Sequence, residues 1–451
     1  VTTSTLKSNK YSSTLTMNLG KDNGSGINFA KGEYMRVFFT SAPVDLTNKE
    51  LTITANKADG SSVQLMKKAS SNCKLEKNKT VVIRTSDATP AATVATLDGR
   101  EFSSLEDAIA AAEQSGKSAT INLTNDVTSN LIINYTKGKA LTLKLNGHKL
   151  TAETGDAVIL KEGELDIING TIESKDGIGV KFDPQANGAI IRLDGCNVLS
   201  KEGAVCTSTA ANSTIWITGG TFSASDNAVI AGNGSTNHKD SNIAREGGNT
   251  IRIRKGDTYG IPVFNGKITT DGYIACGIYA PWKDTFIIDA AKFNIENGVG
   301  ILCRGGKITV NDAEIITSES STDHTGWVGD TKRQVPCKTF YKDSNCGYPD
   351  IENADIDIKG GKYSDDSGKP YVAENGYSYE STGETPLAYK VVTNETKLTG
   401  AVANVEENGT VTINYPVSLK NQLKIQKDFT LTLSEGANIQ GDCKSPVLLF
   451  C

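Results

Sequence analysis

Histidine, methionine and tryptophan are scarce in this 451-residue chain, which contains three of each. Three histidines leave few candidates for a nucleophile–histidine pair, and the sequence has no GxSxG motif. The nine cysteines show no CxxC spacing, which excludes zinc sites of that pattern. From these absences we expect no catalytic residue set, no metal and no cofactor.

Long apolar runs and excess positive charge are also missing. No stretch approaches the roughly 18–20 apolar residues of a membrane-spanning helix, so we expect no transmembrane segment. A formal net charge of −5 argues against nucleic acid as the main partner, because phosphate binding requires a basic surface. The opening VTTSTLKSNK has no apolar signal core, so we expect any export signal to have been removed or to lie upstream of it.

Glycine, by contrast, is abundant, and 44 glycines are typical of turn-rich β structure. Three segments before residue 90 alternate apolar and polar side chains: ELTITA, SSVQLM and TVVIRT. Asp59-Gly60, between the first two, predicts a β-hairpin turn. The sequence therefore predicts a small antiparallel, β-sandwich-like module at 1–90 and a linker at 91–98.

A short helix is predicted at 103–115, where Ser103 followed by Glu106 forms a capping box. Its apolar residues form one stripe: Leu105, Ile109 and Ala112. Because the open end of a repeat structure must be covered, we expect this helix to cap the first repeat.

A short unit then recurs along the chain. It consists of two apolar residues separated by one, a small residue three positions later, and another apolar residue two positions further. The instances are Leu143-Leu145-His148-Leu150, Leu165-Ile167-Gly170-Ile172, Ile191-Leu193-Cys196-Val198, Ile215-Ile217-Gly220-Phe222, Ile261-Val263-Gly266-Ile268, Phe286-Ile288-Ala291-Phe293, Ile308-Val310-Ala313-Ile315 and Ile356-Ile358-Gly361-Tyr363. Most instances are 22–26 residues apart, but two gaps of 46 and 48 residues contain a degenerate unit or an insertion.

Between these units lies a second signal, a turn followed by a short apolar strand: GDAVI, GIGV, EGAV, DNAVI, ACGI and GVGI. A period of roughly 20–30 residues built from short strands predicts a parallel β-solenoid, whereas a β-propeller needs blades of about 40 residues. The predicted fold is therefore all-β, with a right-handed parallel β-helix at 99–392 behind the small β module.

The sequence at the start of this predicted domain recurs in similar form near the end of the chain. LEDAIAAAEQSGKSATINL is matched by LTGAVANVEENGTVTINY at 398–415. We therefore predict a second cap-and-strand module at 393–451, which is either truncated or closes the far end of the solenoid.

The NGTI, GGTF and GGKY turns resemble those of the pectate-lyase-like β-helix superfamily, above all repeat-rich surface proteins of gut bacteria. GGKYSDDSGKPYVAENGYSYES is similar to a segment that closes many such domains. VDLTNKELTITANKADGSSVQLMKKAS and CKLEKNKTVVIRT resemble the latter part of a fimbrillin-like domain of Bacteroidales surface lipoproteins. These resemblances imply an exported protein, held by a lipid anchor upstream of this sequence, on the extracellular face of a Gram-negative outer membrane.

The outward residues between the paired apolar positions are predicted to form one column: Asp166, Arg192, Trp216, Pro262, Ile287, Thr309 and Asp357. Trp216 beside Arg192 offers a flat apolar face to a sugar ring, unless a loop or a neighbouring domain covers it. The segment GIYAPWKD departs from the repeat and provides a candidate ligand-binding rim: Tyr279, Trp282 and Asp284.

The two long gaps, 231–249 and 321–350, are the predicted functional loops, because rigid scaffolds commonly carry function in their loops. The second loop contributes four further candidate ligand-binding residues: His324, Trp327, Arg333 and Tyr341. Cys337 and Cys346 bracket a polar stretch and are predicted to form a disulfide across it.

Three functions are compatible with these patterns. We favour a non-catalytic, adhesin-like surface protein whose loops bind glycan or a host or bacterial surface protein. The alternative is a polysaccharide lyase or glycoside hydrolase of the β-helix superfamily; inverting hydrolysis would require carboxylates such as Asp271, Asp284 and Asp289 to face one another across about 6.5–9.5 Å. The third is a purely structural stalk.

Overall fold

A computed structural model shows the chain as a parallel β-solenoid of about 11 turns. The structure describes residues 92–225, 227–232, 247–267, 276–281, 283–320, 336–344, 346, 353–372 and 377–441, and the backbone of several strands outside these ranges. The predicted all-β, parallel-solenoid class is confirmed.

Among the residues that the structure describes, each turn of the main solenoid supplies one strand to each of three faces, except that the last turn supplies strands to faces 1 and 2 only. Face 1 stacks Ala119–Leu123, Ala140–Lys144, the first half of Glu164–Ser174, the first half of Ile190–Ser200, Thr214–Thr218, Thr250–Arg254, Thr285–Ile288, Lys307–Val310 and Asp355–Ile358. Face 2 stacks Val127–Thr128, Lys149–Ala152, the second halves of the two long strands, Thr221–Ala224, Val263–Lys267, Lys292–Glu296, Glu314–Ser318 and Lys362–Tyr363. Face 3 stacks Leu131–Asn134, Val158–Glu162, Ile178–Phe182, Gly203–Cys206, Ile230–Ala231, Cys276–Ala280, Val299–Cys303 and Phe340–Lys342.

Alternation along these strands directs every second side chain into a continuous core. On face 1, Leu165 and Ile191 lie on neighbouring rungs, and neither is exposed. On face 2, the rings of Phe222, Phe264 and Phe293 stack with centroid separations of 5.2 and 4.7 Å. Burying one such side chain stabilises the fold by about 1.5–3 kcal/mol, so the stacked rungs hold the coils together.

The corner between faces 1 and 2 requires a residue without a bulky side chain. A Cβ atom at Gly170 would lie 2.7 Å from the carbonyl oxygen of His148. Gly220 has a φ of +89°, and a Cβ atom there would overlap the backbone of Cys196. The predicted column of small residues therefore marks this corner.

A hairpin and a helix cover the start of the solenoid. The hairpin pairs Ala95–Leu97 with Arg100–Phe102 and continues antiparallel to the first strand of face 1. The helix spans Leu105–Ser115, and the apolar stripe predicted from the sequence is buried. Its N-cap is Ser104, whose Oγ accepts a hydrogen bond from the Asp107 N–H at 3.3 Å. The predicted cap at Ser103 is therefore wrong by one residue.

The parallel ladder of face 2 ends in antiparallel pairing. Lys362–Tyr363 pairs with Tyr389–Thr393, which in turn pairs with Tyr377–Ser381. The rings of Tyr363, Tyr379 and Tyr389 stack in sequence, with centroids 5.8 and 5.6 Å apart. This aromatic stack extends the buried core from the last coil to the antiparallel strands that follow it.

Two of the predicted repeat units have the wrong register. Leu141, rather than Leu143, lies beside Leu165, because the turn at Asn146-Gly147 makes the first unit two residues longer. The unit placed at Ile261-Val263-Gly266-Ile268 is also wrong, since the corresponding face 1 strand is Thr250–Arg254.

A second, shorter stack follows residue 393. The helix Asn394–Asn404 precedes three parallel strand pairs: Thr410–Ile413 with Thr430–Leu433, Val417–Leu419 with Ile439–Gly441, and Leu423–Ile425 with Leu448–Phe450. Val411, Val417 and Leu423 are buried in its core. This order of one helix and three strands repeats the order at the start of the main solenoid.

Antiparallel strands precede the solenoid. Glu50–Asn56 pairs with Ser62–Lys68, so the hairpin predicted around Asp59-Gly60 is confirmed. Val44–Asp45 pairs with Lys74–Leu75, and Thr89–Pro90 pairs with Ser62–Lys68. The predicted strand TVVIRT lies outside the described residues. Within the described part of the chain, no helix is long and apolar enough to cross a membrane.

Candidate functional site

The outward column of face 1 brings aromatic and cationic side chains together. Strand register places Asp166, Arg192, Trp216 and Arg252 on four successive rungs. The predicted neighbours Arg192 and Trp216 are therefore adjacent. The predicted place of Pro262 in this column is wrong, because Arg252 occupies it and Pro262 lies in the connection between the face 1 and face 2 strands of the same coil.

Arg192 is held by two carboxylates at one end of the column. Its Nη1 lies 2.8 Å from Glu164 Oε2 and 2.9 Å from Asp166 Oδ1. Partial burial alone would lower the pKa of Arg192, but its hydrogen bonds with Asp166 and Glu164 outweigh burial and raise that pKa. The guanidinium is therefore charged and fixed in orientation.

Trp216 is partly buried and interacts with two further arginines. The guanidinium carbon of Arg252 lies 5.6 Å from its ring centroid, and that of Arg254 lies 5.1 Å away. Both separations are within cation–π range. Arg252 is anchored by Asp289, with 2.7 Å between Nε and Oδ2. We call Arg192, Trp216, Arg252 and Arg254 the tryptophan–arginine site.

A tyrosine from an inserted turn packs on the corner of the solenoid that follows the face 1 strands. The turn between Thr250–Arg254 and Val263–Lys267 is closed by backbone hydrogen bonds of 2.7 and 3.0 Å between Gly256 and Gly260. It places Tyr259 so close to this corner that a Cβ atom at Gly195 would overlap the tyrosine ring, and one at Gly219 would overlap the Cβ atom and backbone of Tyr259.

Asp194 directly precedes Gly195 in the chain and is partly desolvated. Burial raises the pKa of its carboxyl group, the positive charge of Arg254 opposes that rise, and the negative charge of Asp257 adds to it. The net pKa is raised. Carboxylates therefore flank the arginines on several sides, and the site is not a simple anion-binding pocket.

Asp284, predicted at a ligand rim, is a structural residue and 0% exposed. Its Oδ2 accepts a hydrogen bond from Thr207 Oγ1 at 2.8 Å, and its Oδ1 accepts one from the Asn249 N–H at 3.0 Å. A carboxylate buried with such partners satisfies backbone and hydroxyl donors inside the fold. The prediction that Asp284 contacts a ligand is therefore wrong.

Tyr279 and Tyr341 lie on face 3, away from the tryptophan–arginine site. Register places Leu302 between them, and both rings pack against a buried cluster that includes Cys206. Arg304 Nη1 donates to the Tyr279 hydroxyl at 3.3 Å and lies over its ring. Both tyrosines are half-buried, so a role in packing accounts for them.

The remaining predicted ligand residues are only partly placed. Trp282 and His324 lie outside the described residues. Trp327 and Arg333 lie on the antiparallel strands Thr325–Val328 and Thr331–Gln334, opposite Lys332 and Gly326 respectively. Ligand binding by Trp282, His324, Trp327 and Arg333 therefore stays a prediction.

Cys337 and Cys346 are free thiols, so the predicted disulfide between them is wrong. The extended strand Phe340–Lys342 lies between the two residues, and an extended chain advances about 3.3 Å per residue. Cys337 lies near Thr317, whereas the Cys346 N–H donates to the carbonyl of Asp343 beyond the other end of the strand.

The carboxylate pair required for hydrolysis does not form from the two predicted residues that the structure describes. Asp284 precedes the strand Thr285–Ile288 and Asp289 follows it, so about 16 Å of extended chain separates them. Burial would raise the pKa of Asp289, but hydrogen bonds from Arg252 and Asn311 lower it overall. Asp289 therefore suits an ion pair better than a general acid. Asp271 lies outside the described residues.

Sequence reasoning missed Arg252, Arg254 and Tyr259 as site residues. A usable signal was present, because TIRIR at 250–254 has the same pattern as TIWIT at 214–218. Tyr259 had no comparable signal, since it arrives on an insertion that does not follow the repeat.

No protein-family model, curated protein or solved structure matches the chain. Among the residues that the structure describes, no cluster of three or more histidine, cysteine or carboxylate ligands is arranged to hold a metal ion. The fold and the site thus define a class, a parallel β-solenoid with an outward aromatic–cationic surface.

Proposed function

We propose that the chain is an adhesin-like surface protein that binds glycan at the tryptophan–arginine site without cleaving it. The observation that carries this proposal is the partly exposed Trp216 ring on a rigid face, with the guanidinium carbons of Arg252 and Arg254 at 5.6 and 5.1 Å. The part of the indole surface that the two guanidinium groups leave uncovered is held rigidly, so it can stack on the CH face of a sugar ring at small entropic cost.

The arginines supply hydrogen-bond donors rather than net positive charge. Glu164 and Asp166 neutralise Arg192, and Asp289 neutralises Arg252. Guanidinium N–H groups that are not used in these pairs can donate to sugar hydroxyl groups, since each guanidinium carries five N–H bonds. Stacking on Trp216 with hydrogen bonds around its rim is the recognition mode that we propose.

The adhesin-like assignment extends to the context of the chain. The GGTF and GGKY turns and the segments around 44–86 support a pectate-lyase-like β-helix behind a fimbrillin-like fragment, in an exported lipoprotein on the outer-membrane surface. A non-catalytic role is preferred over a lyase or hydrolase because Asp284 is buried and Asp289 is paired with Arg252.

A glycan array with the purified whole chain, followed by a reducing-end assay on each bound glycan, tests this function. We expect binding without new reducing ends. Trp216→Ala should weaken binding by about tenfold, whereas Trp216→Phe should retain most of it. Thr309→Ala, on the same column beyond Arg252, is the matched control and should bind normally.

Three outcomes would contradict the proposal in whole or in part. Release of reducing ends from any bound polysaccharide would establish an enzyme in place of an adhesin. Unchanged glycan binding by folded Trp216→Ala would move the binding surface away from this site. Binding to a host or bacterial surface protein, with no glycan bound, would leave an adhesin but remove the glycan as its ligand.

A further inference from the structure

The geometry of face 2 points to a second ligand site, a groove that binds a neutral oligosaccharide chain. The groove encloses about 550 Å³. Its floor is one outward column of face 2: Leu199, Ser223, Asn265, Asn294 and Ile316. We call it the amide groove. It is separate from the tryptophan–arginine site, which lies on face 1.

The depression arises from a run of small side chains between larger ones. Ala224 and Gly266 line its middle, while Leu199 and Ile316 stand at its two ends. Leu199 is 39% exposed, which is unusual for a leucine on a stacked sheet. Five rungs span about 19 Å at the usual strand spacing, which gives room for several linked sugar rings rather than one.

The polar groups of the groove both donate and accept hydrogen bonds, as sugar hydroxyl groups do. Asn294 Nδ2 donates to Asn265 Oδ1 at 3.0 Å. A primary amide has two donor hydrogens and an oxygen with two lone pairs, so this ladder bond leaves capacity on both residues for a ligand. Asn294 is exposed, and its amide therefore faces solvent along the groove.

The charged groups of the groove cancel one another. Lys267 Nζ lies 2.9 Å from Glu296 Oε1 at one rim. An anionic or cationic ligand would have to break this pair to gain a partner, whereas an uncharged ligand leaves it intact. The groove therefore favours neutral sugars over uronic acids or amino sugars.

An extended peptide fits the groove less well than a glycan. Peptides commonly bind sheets by adding a strand to a free edge. The strands Thr221–Ala224, Val263–Lys267 and Lys292–Glu296 each pair with a neighbour on both sides, so the groove has no free edge along its floor. Recognition must come from side chains, and here those are amides, hydroxyl groups and short apolar faces.

Isothermal titration of the whole chain with cellohexaose, mannohexaose, xylohexaose and maltohexaose tests the proposal, with hexagalacturonate as the acidic comparator. We expect at least one neutral hexasaccharide to bind and the acidic one not to compete with it. Asn294→Leu should weaken that binding by about tenfold, because it removes the ligand's amide partner. Leu199→Asp, at one end of the groove, should weaken this binding as well.

Asn197→Leu is the matched control, since Asn197 is an exposed asparagine on face 2 outside the groove. It should bind like the parent chain, and so should Trp216→Ala. Binding lost in Trp216→Ala but kept in Asn294→Leu would overturn the groove while supporting the tryptophan–arginine site. Failure of all four neutral probes to bind would also overturn the groove, as would normal binding by folded Asn294→Leu and Leu199→Asp.

Discussion

Arg304 and Asp343 form a buried ion pair, with 2.8 Å between Nε and Oδ2 and side-chain exposures of 2% and 0%. The same guanidinium donates to the Tyr279 hydroxyl, and the Asp343 N–H donates to the carbonyl of Cys303. These contacts connect three successive turns of the solenoid on face 3. The pair therefore fixes where the chain rejoins the stack after the long insertion between 318 and 340.

Breaking this pair on one side should be costly. Asp343→Ala leaves the Arg304 charge buried without its carboxylate, and we expect a loss of about 3–5 kcal/mol in stability. Thermal unfolding followed by circular dichroism measures it. The double variant Arg304→Met/Asp343→Leu removes both charges and should recover most of the loss. Equal destabilisation by the single and double variants would show that shape, and not charge, dominates.

The phenylalanine stack on face 2 should behave as one packed column. Phe264 lies between Phe222 and Phe293, so Phe264→Ala opens a cavity in the middle of the column and should cost about 3–5 kcal/mol. Phe264→Leu fills most of that space and should cost clearly less. Chemical denaturation of both variants gives the comparison, and similar midpoints for Phe264→Ala and the parent chain would contradict tight packing.

Two aspartates of the tryptophan–arginine site should respond to pH in opposite directions. The pKa of Asp194 is raised above its unfolded value of about 3.9, so its ionisation costs stability as pH rises through the folded pKa. The pKa of Asp289 is lowered, so its contribution is present above about 3.9 and is lost as pH falls through the folded value.

Asparagine substitutions test this difference. At pH 7, Asp194→Asn should raise the melting temperature and Asp289→Asn should lower it. Each difference should shrink as pH falls through the folded pKa of the parent carboxyl group, which lies higher for Asp194 than for Asp289. Melting curves at several pH values measure the effect. A shift of the same sign for both variants at pH 7 would contradict the opposite pKa directions.

The cysteines should react according to burial. Burial raises the pKa of Cys196 to about 12 and that of Cys303 to about 11, and both are almost inaccessible. Cys337 is only partly buried. Because the thiolate is the reactive form, iodoacetamide at pH 8 should label Cys337 well before the other two. Peptide mass spectrometry without reduction should find no Cys337–Cys346 link, and such a link would contradict the structure.

The core of the solenoid could be predicted because its pattern is local. Leu165 and Ile167 alternate with outward residues and repeat in the next coil, so period and burial follow from the sequence alone. The register of neighbouring strands was harder to predict. Ile261-Pro262-Val263 imitates a paired apolar unit, yet proline cannot donate to a sheet ladder, and that should have excluded Pro262 from a central strand.

Residues of the site could be predicted only where they lie on the stacked strands of face 1. Trp216 beside Arg192 is a consequence of coil stacking and was found. The burial of Asp284 could not be predicted, because its partners Thr207 and Asn249 are 77 and 35 residues away and no sequence pattern links them. Tyr259 enters through the eight-residue connection 255–262, where the preceding coil has two residues, and the path of this connection depends on the glycines that Tyr259 packs against.

The connection at 255–262 shows that the corners and the core of this molecule can vary separately. It holds eight residues where the preceding coil has two, yet Phe222 and Phe264 remain adjacent on face 2 across it. Natural variation, or a designed loop library, can therefore change the outer surface at this corner without selecting new core residues. Such a scaffold can diverge at its corners while inheriting its interior unchanged.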